Sequence, residues 1–467
     1  MLSLKNLRLK YPDDERIIFK NLNITINDRE KVLLLGPSGS GKSTLLNVLS
    51  GIIPRSVDIP MKVDEKHIDP FPGVIFQDPD TQFCMPKIKE ELAFVLENMK
   101  VEPNRMDSLI SKAMQEVNLE ADPSKKLSQL SGGMKQKLAI ASILLQKTDT
   151  LFLDEPTAML DTSSTYQLWD LLMQHWKNQT VVIVEHKVDY IWNYVDRVIV
   201  MNDKGQITHD STPDDILNNH TDVLNEYGVW HPNSWDYAPK SLSINHKYEP
   251  LLNISNLEIL RHRKKLFKVN DLSINKGELI VLTGANGTGK TTFLETLMQL
   301  IKYEGNIYYK DKRLKKIKDA SKHMYFVYQN PELQFIEMSV YDEISINFSH
   351  QNKETAQAKT EEMLKLLRLE HVKAQHPFEL SIGQKKRLSV ATALSTQSEI
   401  ILLDEPTFGL DSHNTFELIK LFKQRVTDGQ TIIMITHENE IINRYATKIL
   451  NIQNRELAIS DGDVYAE

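Results

Sequence analysis

The chain has 467 residues, 41% of them hydrophobic and 25% charged, which allows two or three globular domains and excludes a disordered or fibrous protein. A formal net charge of −7 argues against a dedicated nucleic-acid binder, and a single cysteine, Cys84, excludes an internal disulfide framework and fits a reducing cytoplasm. No apolar run approaches the roughly 18 residues of a membrane span, and the N-terminus shows no charged-then-apolar targeting pattern.

In chain order, the first landmark is the apolar run Val32-Leu33-Leu34-Leu35, a predicted strand. It leads into Gly36-Pro37-Ser38-Gly39-Ser40-Gly41-Lys42-Ser43-Thr44 and then the helical apolar pattern Leu45, Leu46, Val48, Leu49. Strand, glycine-rich turn and helix start form the context of a phosphate-binding loop. Gly36, Gly39 and Gly41, with Ser38 between them, let backbone N–H groups turn toward phosphate oxygens, and the helix N-terminus adds partial positive charge. Lys42 is expected to reach the β- and γ-phosphates, Ser43 to hold Mg²⁺, and Thr44 to complete the loop.

Next come Gln77-Asp78-Pro79-Asp80-Thr81-Gln82-Phe83, the acidic pair Glu90-Glu91, and Leu130-Ser131-Gly132-Gly133-Met134 opening an apolar helix pattern. The apolar run Leu151-Phe152-Leu153 ends in Asp154-Glu155-Pro156-Thr157, and Val181-Val182-Ile183-Val184 precedes His186. Every landmark then recurs. Gly284, Asn286, Gly287, Gly289, Lys290, Thr291 and Thr292 follow Leu279-Ile280-Val281-Leu282, and Gln329, Ser381, Asp404-Glu405 and His437 follow in order, at offsets of 248 to 252 residues. A nearly constant offset marks a duplication. The expected division is residues 1–220, a linker over 221–249, and residues 250–467, with no further domain appended. The linker carries Tyr227, Trp230, Pro232, Trp235, Tyr237, Pro239 and Tyr248, a composition expected to pack along a domain surface rather than to act as a flexible tether. Continuous apolar strands alternating with helical segments predict an α/β fold with a largely parallel sheet in each half.

With the Leu-Ser-Gly-Gly stretch and the Asp-Glu-Pro-Thr stretch in view, both halves resemble the ATP-binding cassette family nearly end to end. The resemblance implies two tandem P-loop NTPase domains, each with a helical subdomain, and ATP and Mg²⁺ as cofactors. It also implies a head-to-tail sandwich in which each nucleotide lies between the phosphate loop of one cassette and the signature loop of the other. Lys42, Ser43, Gln77, Asp154, Glu155 and His186 would then face Ser381 and Gly383. Lys290, Thr291, Gln329, Asp404, Glu405 and His437 would face Ser131 and Gly133. Asp154 and Asp404 would orient Mg²⁺, with Ser43, Thr291, Gln77 and Gln329 also at the metal. Glu155 and Glu405 would polarise the attacking water, and His186 and His437 would hold it in line with the γ-phosphate. The opposing serine and glycine N–H groups would stabilise charge on that phosphate.

The chain departs from the family pattern in places. Met134 stands where glutamine is usual, and Ile382 replaces the first signature glycine. An isoleucine disfavours positive φ, so the loop at Ser381 is expected to be stiffer and to close less readily. Tyr11 is placed to stack on adenine. Its counterpart by alignment is Arg261, with His262 beside it, where a guanidinium plane would have to serve. Both Asp-Glu pairs are intact, so both sites are expected to hydrolyse ATP.

The repeated Gln-x-Pro-x-x-Gln, at Gln77 and at Gln329-Asn330-Pro331-Glu332-Leu333-Gln334, resembles the energy-coupling-factor importers of vitamins and metals. That resemblance implies a groove near Glu90, Glu91, Asp342 and Glu343 for coupling helices of an integral membrane transport subunit, a further substrate-binding membrane protein, and a peripheral place on the cytoplasmic face of the membrane. Two cassettes in one chain are similar to the fused import ATPases for thiamine or its hydroxymethylpyrimidine precursor. Two other readings compete. A ribosome-bound tandem-cassette translation factor would carry a long, charged helical linker. Here the linker is short, and Asp222, Glu226, Asp236 and Glu249 suit RNA phosphate poorly, so no nucleic acid is expected. A sugar-type importer ATPase would lack the Gln-x-Pro-x-x-Gln stretch.

Overall fold

Strands that are apolar at every position demand cover on both faces, and the fold supplies it twice. In a computed structural model, residues 1–12, 16–158, 160, 162–241, 249–261 and 264–461 are described. The chain divides into two compact units, Met1–Ser234 and Trp235–Glu467.

In the first unit, strands β1 (Leu2–Lys10) and β2 (Ile17–Ile26) pair antiparallel, and the short segments Met61–Lys62 and Glu65–His67 extend this small sheet. The main sheet is built from β3 (Lys31–Leu35), β4 (Gly73–Ile75), β5 (Thr150–Asp154), β6 (Thr180–Val184), β7 (Arg197–Met201) and β8 (Ile207–Ser211). Its order is β8-β7-β3-β6-β5-β4, parallel throughout except for the β8–β7 hairpin at one edge. Crossovers between non-adjacent strands put the C-terminal ends of β3, β5 and β6 side by side, which is where ligands bind in open parallel sheets. Val32, Leu33, Leu34, Val181, Val182 and Ile183 are fully buried. Each such side chain contributes roughly 1.5–3 kcal/mol relative to exposure, so the strand ends that carry the polar residues are rigidly mounted.

Helix α1 (Lys42–Leu49) follows β3, and α2 (Ile88–Asn98), α3 (Gly132–Gln146) and α4 (Thr162–His175) follow in order. Leu92 and Leu96 of α2 and Leu138 and Ile140 of α3 join Leu33, Leu151 and Ile183 of the sheet in one core, so the helical part is packed onto the sheet rather than hung from it.

The second unit repeats the plan with β9 (Pro250–Arg261), β10 (Lys264–Asn275), β11 (Leu279–Gly284), α5 (Lys290–Leu297), β12 (Tyr303–Tyr309), β13 (Met324–Val327), α6 (Val340–Ser345), α7 (Ile382–Ser395), β14 (Ile400–Asp404), α8 (Ser412–Thr427), β15 (Thr431–Ile435), β16 (Lys448–Gln453) and β17 (Glu456–Asp461). Here the parallel pair Lys268–Glu456, between β10 and β17, fuses the antiparallel and parallel parts into one ten-stranded sheet, whose tenth strand is the short segment Lys312–Arg313 paired with β12.

Of the predicted linker, residues 221–234 belong to the first unit and 235–241 with 249 to the second. Leu224, Val229 and Trp230 are buried in the first, where His231 donates its N–H to Ser234 Oγ at 2.8 Å and places Nε2 2.9 Å from Asn225 Oδ1. Trp235 packs on Phe416 of α8 at 5.4 Å between ring centroids, and Arg444 lies over its ring and donates to its carbonyl at 2.9 Å. The Tyr445 hydroxyl donates to Pro239 O, and Lys423 Nζ donates to Lys240 O. Tyr248 lies outside the described residues.

Candidate functional site

In the first unit, the loop after β3 turns on glycines in backbone conformations that other residues resist. Gly41, the cap of α1, has φ of +93°, and a Cβ there would meet Ile18 Cγ2 at 2.9 Å and Phe19 Cε1 at 3.0 Å. Gly36 and Gly39 also have positive φ, and Ser38 is exposed between them. Lys42 Nζ donates to Gly36 O at 2.8 Å and Pro37 O at 3.0 Å, so the loop closes around its own lysine. Burial lowers the Lys42 pKa to about 8, while Glu155 and Asp154 pull it back up. A partly desolvated ammonium of this kind gains from a polyphosphate partner. Thr44 faces inward, and its Oγ1 lies 2.9 Å from the Tyr11 hydroxyl.

At the end of β5, Asp154 accepts from Ser43 Oγ at 2.9 Å. Burial pushes its carboxyl up to about 6 despite that hydrogen bond. One hydroxyl and one carboxylate at this spacing fit Mg²⁺, which keeps most of its shell as water and phosphate oxygens. Among the described residues no group of three or more His, Cys, Asp or Glu could hold a metal by itself. The next residue, Glu155, is held in the left-handed region at φ of +47°. Its carboxylate accepts from Gln77 Nε2 at 2.6 Å and lies 3.0 Å from His186 Nε2. Burial raises the Glu155 pKa, but the His186 hydrogen bond and charge, Lys42 and Gln77 together hold it below its ordinary value, so the group is an ionised acceptor at neutral pH.

The second unit carries the same set on the same elements. Lys290 Nζ donates to Gly284 O at 2.7 Å, to Ala285 O at 3.2 Å and to Asn286 Oδ1 at 3.5 Å. Gly287 and Gly289 have positive φ, and Thr292 is buried one turn into α5. Thr291 Oγ1 donates to Asp404 Oδ2 at 2.7 Å, and burial pushes Asp404 to about 6. Gln329 Nε2 donates to Glu405 Oε2 at 2.9 Å, and His437 Nε2 stands 3.6 Å from Glu405 Oε1.

Ser131 and Gly133 do not enter the hydrogen-bonded group around Lys42. They open α3, where Ser131 Oγ accepts from Met134 N at 3.4 Å. Ser381 and Gly383 open α7 in a complete capping box, with Ser381 N donating to Gln384 Oε1 at 2.9 Å and Gln384 N to Ser381 Oγ at 3.3 Å. Met134 cannot return that bond, which is the structural meaning of its departure from glutamine.

Two expectations are corrected. Gly132 and Ile382 are first-turn helix residues and neither has positive φ, so the isoleucine imposes no backbone penalty and the argued stiffness has no basis. Arg261 pairs its Nη1 with Glu295 Oε2 at 2.6 Å, a bond made at the edge of the guanidinium and not on its face; His262 lies outside the described residues. Glu91 and Glu343 do not line a groove with charge. Each is buried, Glu91 accepting from Cys84 N at 2.9 Å and Met85 N at 2.8 Å, Glu343 from Ile336 N at 2.9 Å and Glu337 N at 2.8 Å. Glu90 pairs with Lys87 at 2.6 Å and Asp342 accepts from Ser339 Oγ at 2.6 Å.

Sequence reasoning missed Thr157 and Glu185. Thr157 Oγ1 donates to Glu185 Oε2 at 2.7 Å, and the His186 N–H donates to Glu185 Oε1 at 2.8 Å. The available signal was a glutamate ending a wholly apolar strand directly before a histidine. It also missed Lys386, whose Nζ donates to Glu405 O at 3.1 Å and Phe408 O at 2.5 Å.

Because the folded pKa of Asp154 lies above its ordinary 3.8, its ionised form is penalised in the fold, fully so above pH 6 and not at all below about pH 4. Asp154→Asn is therefore expected to stabilise the nucleotide-free chain by ~2 kcal/mol at pH 7.5, with the gain fading toward pH 4, as read by thermal melts across pH. The same variant should lose Mg²⁺-dependent nucleotide binding.

The family model described as ABC transporter matches residues 19–158 and 267–408. YkoD of Bacillus subtilis (strain 168), an ATP-binding protein named for HMP/thiamine import, is 33% identical over 498 aligned positions, covering 98% of this chain and 91% of that protein. A protein of Streptococcus mutans serotype c, named as an ABC transporter ATP-binding protein, is 30% identical over 514 positions, covering all of this chain and 90% of its own length. Among solved structures, a complex of an archaeal ribosome recycling factor with an archaeal ribosomal stalk protein aligns with a TM-score of 0.68 over 96% of this chain and 87% of that one, at 21% identity. At that identity the likeness is one of fold.

Proposed function

Since this chain belongs to the ABC transporter family and is an ATPase of the ATP-binding kind, we propose that it is the energy-coupling subunit of an importer of the energy-coupling-factor type. The observation that carries this reading is the pair of complete groups, Lys42–Ser43–Gln77–Asp154–Glu155–His186 and Lys290–Thr291–Gln329–Asp404–Glu405–His437, each leading into Gln-x-Pro-x-x-Gln. The likeness to a relative named for HMP/thiamine import supports thiamine or its precursor as the transported class.

In this reading the loop N–H groups and Lys42 or Lys290 bind the phosphates of ATP. Mg²⁺, held by Ser43 and Asp154 or by Thr291 and Asp404 with Gln77 and Gln329 nearby, supplies charge neutralisation on the phosphates. Glu155 or Glu405 takes a proton from a water that attacks the γ-phosphorus, the bond to the β-phosphate oxygen breaks, and ADP and inorganic phosphate result. His186 and His437 orient that water. Ser131 with Gly133, and Ser381 with Gly383, complete the site of the opposite cassette. Closure on two nucleotides would drive a separate transmembrane subunit through its coupling helices, with the chain peripheral on the cytoplasmic face. No helix among the described residues is long and apolar enough to cross a membrane.

A tagged pull-down from detergent-solubilised cells tests the assignment. The expected result is a small set of integral membrane proteins, including a substrate-binding one. Ribosomal proteins without a membrane partner would overturn it in favour of a translation factor.

A further inference from the structure

Glu185 is a buried carboxylate, 5% exposed, that the hydrolytic scheme leaves without a part. Burying a carboxylate is unfavourable unless its oxygens are hydrogen-bonded, and both of them are used here. One oxygen takes the Thr157 hydroxyl and the other takes the His186 N–H. Thr157 lies two residues past Glu155 on the turn leaving β5, and the Glu155 N–H is itself bonded to Val184 O at 2.8 Å. The segments carrying Glu155 and His186 are thus both tied to the residues that end β6, and the two side chains meet at 3.0 Å.

We propose that Glu185 is a positioning residue for hydrolysis, a carboxylate clamp that fixes Glu155 against His186. The proposal rests on the reading of Glu155 as general base. The duplicate half shows the same task done in another register. Thr436 stands where Glu185 stands, and Thr407 Oγ1 donates instead to Glu438 Oε1 at 3.0 Å, from the residue after His437. The Glu438 N–H donates to Thr436 Oγ1 at 3.2 Å, and the Glu405–His437 separation is 3.6 Å.

The test uses the full chain with Mg²⁺-ATP, in the Glu405→Gln background, or in the otherwise unaltered chain if Glu405→Gln alone abolishes turnover. Glu185→Thr is expected to lower kcat about tenfold while KM for ATP moves less than about twofold, because positioning acts on the reacting geometry and not on ground-state binding. Thr157→Val removes the other end of the clamp and should give a similar loss. The double variant should be no worse than the poorer single, the signature of one shared interaction. Glu185→Gln, which retains one acceptor oxygen, should recover part of the rate. An unchanged kcat, a loss tracking KM or melting temperature, or multiplicative losses in the double variant would overturn the clamp. Glu155→Gln in the same assay separates the two ideas: if it leaves turnover intact the general-base reading fails, whereas its loss together with a silent Glu185→Thr sinks only the clamp.

Discussion

Glu155→Gln and Glu405→Gln each lower steady-state ATP hydrolysis, and the double variant loses it by a hundredfold or more, the usual reach of a general base. The expectation comes from geometry that both units share. In each, a glutamate held in the left-handed region follows the buried aspartate and accepts from the glutamine, at 2.6 Å in one unit and 2.9 Å in the other. Glutamine keeps the size and the hydrogen-bonding reach of the side chain but cannot take a proton, so nucleotide binding should survive while turnover falls. The two losses need not be equal, because the histidine contact is 3.0 Å in the first unit and 3.6 Å in the second. Phosphate release by purified single variants is the measurement. One variant turning over at the wild-type rate would reduce the protein to a single working site.

The second large effect is on stability. Glu91→Ala strands the N–H groups of Cys84 and Met85, and Glu343→Ala those of Ile336 and Glu337. Cys84 and Ile336 are exposed and Met85 and Glu337 half-buried, so water takes up part of the lost bonding, and losing two hydrogen bonds costs about 1–3 kcal/mol, which in a unit of this size lowers the melting temperature by roughly 3–10 °C. Glu90→Ala, which removes an exposed partner of Lys87, should cost under about 1 kcal/mol. Melting curves of the isolated chain read the difference with no membrane protein present. If Glu91→Ala melts like the parent yet fails to co-purify a membrane partner, its carboxylate acts outward after all.

Legibility in the sequence followed the range of the physics. The placement of the glycine-rich loops at Lys42 and Lys290, of the Asp-Glu pairs and of His186 and His437 was readable because each depends on contiguous residues at a strand end, where φ, burial and spacing are set locally. Glu91 and Glu343 were misread because an acid in the first turn of a helix ordinarily faces water; what draws these inward is a loop six or seven residues upstream whose N–H groups donate to them. Ile382 misled for a related reason. A glycine-rich signature invites an argument from positive φ, yet the position is an ordinary first helical turn. The Thr157–Glu185 bond spans 28 residues and Lys386–Glu405 spans 19, and neither follows any local periodicity.

The residues that precede β9 have a consequence for the two halves as hereditary units. Trp235, Pro239 and Lys240 clasp Phe416, Lys423, Arg444 and Tyr445 of the second unit. A gene split that kept both products whole would have to cut before this clasp and leave it at the head of the downstream product, and a swap of the halves would have to carry it along. Descended from one ancestor, the two copies are no longer interchangeable parts.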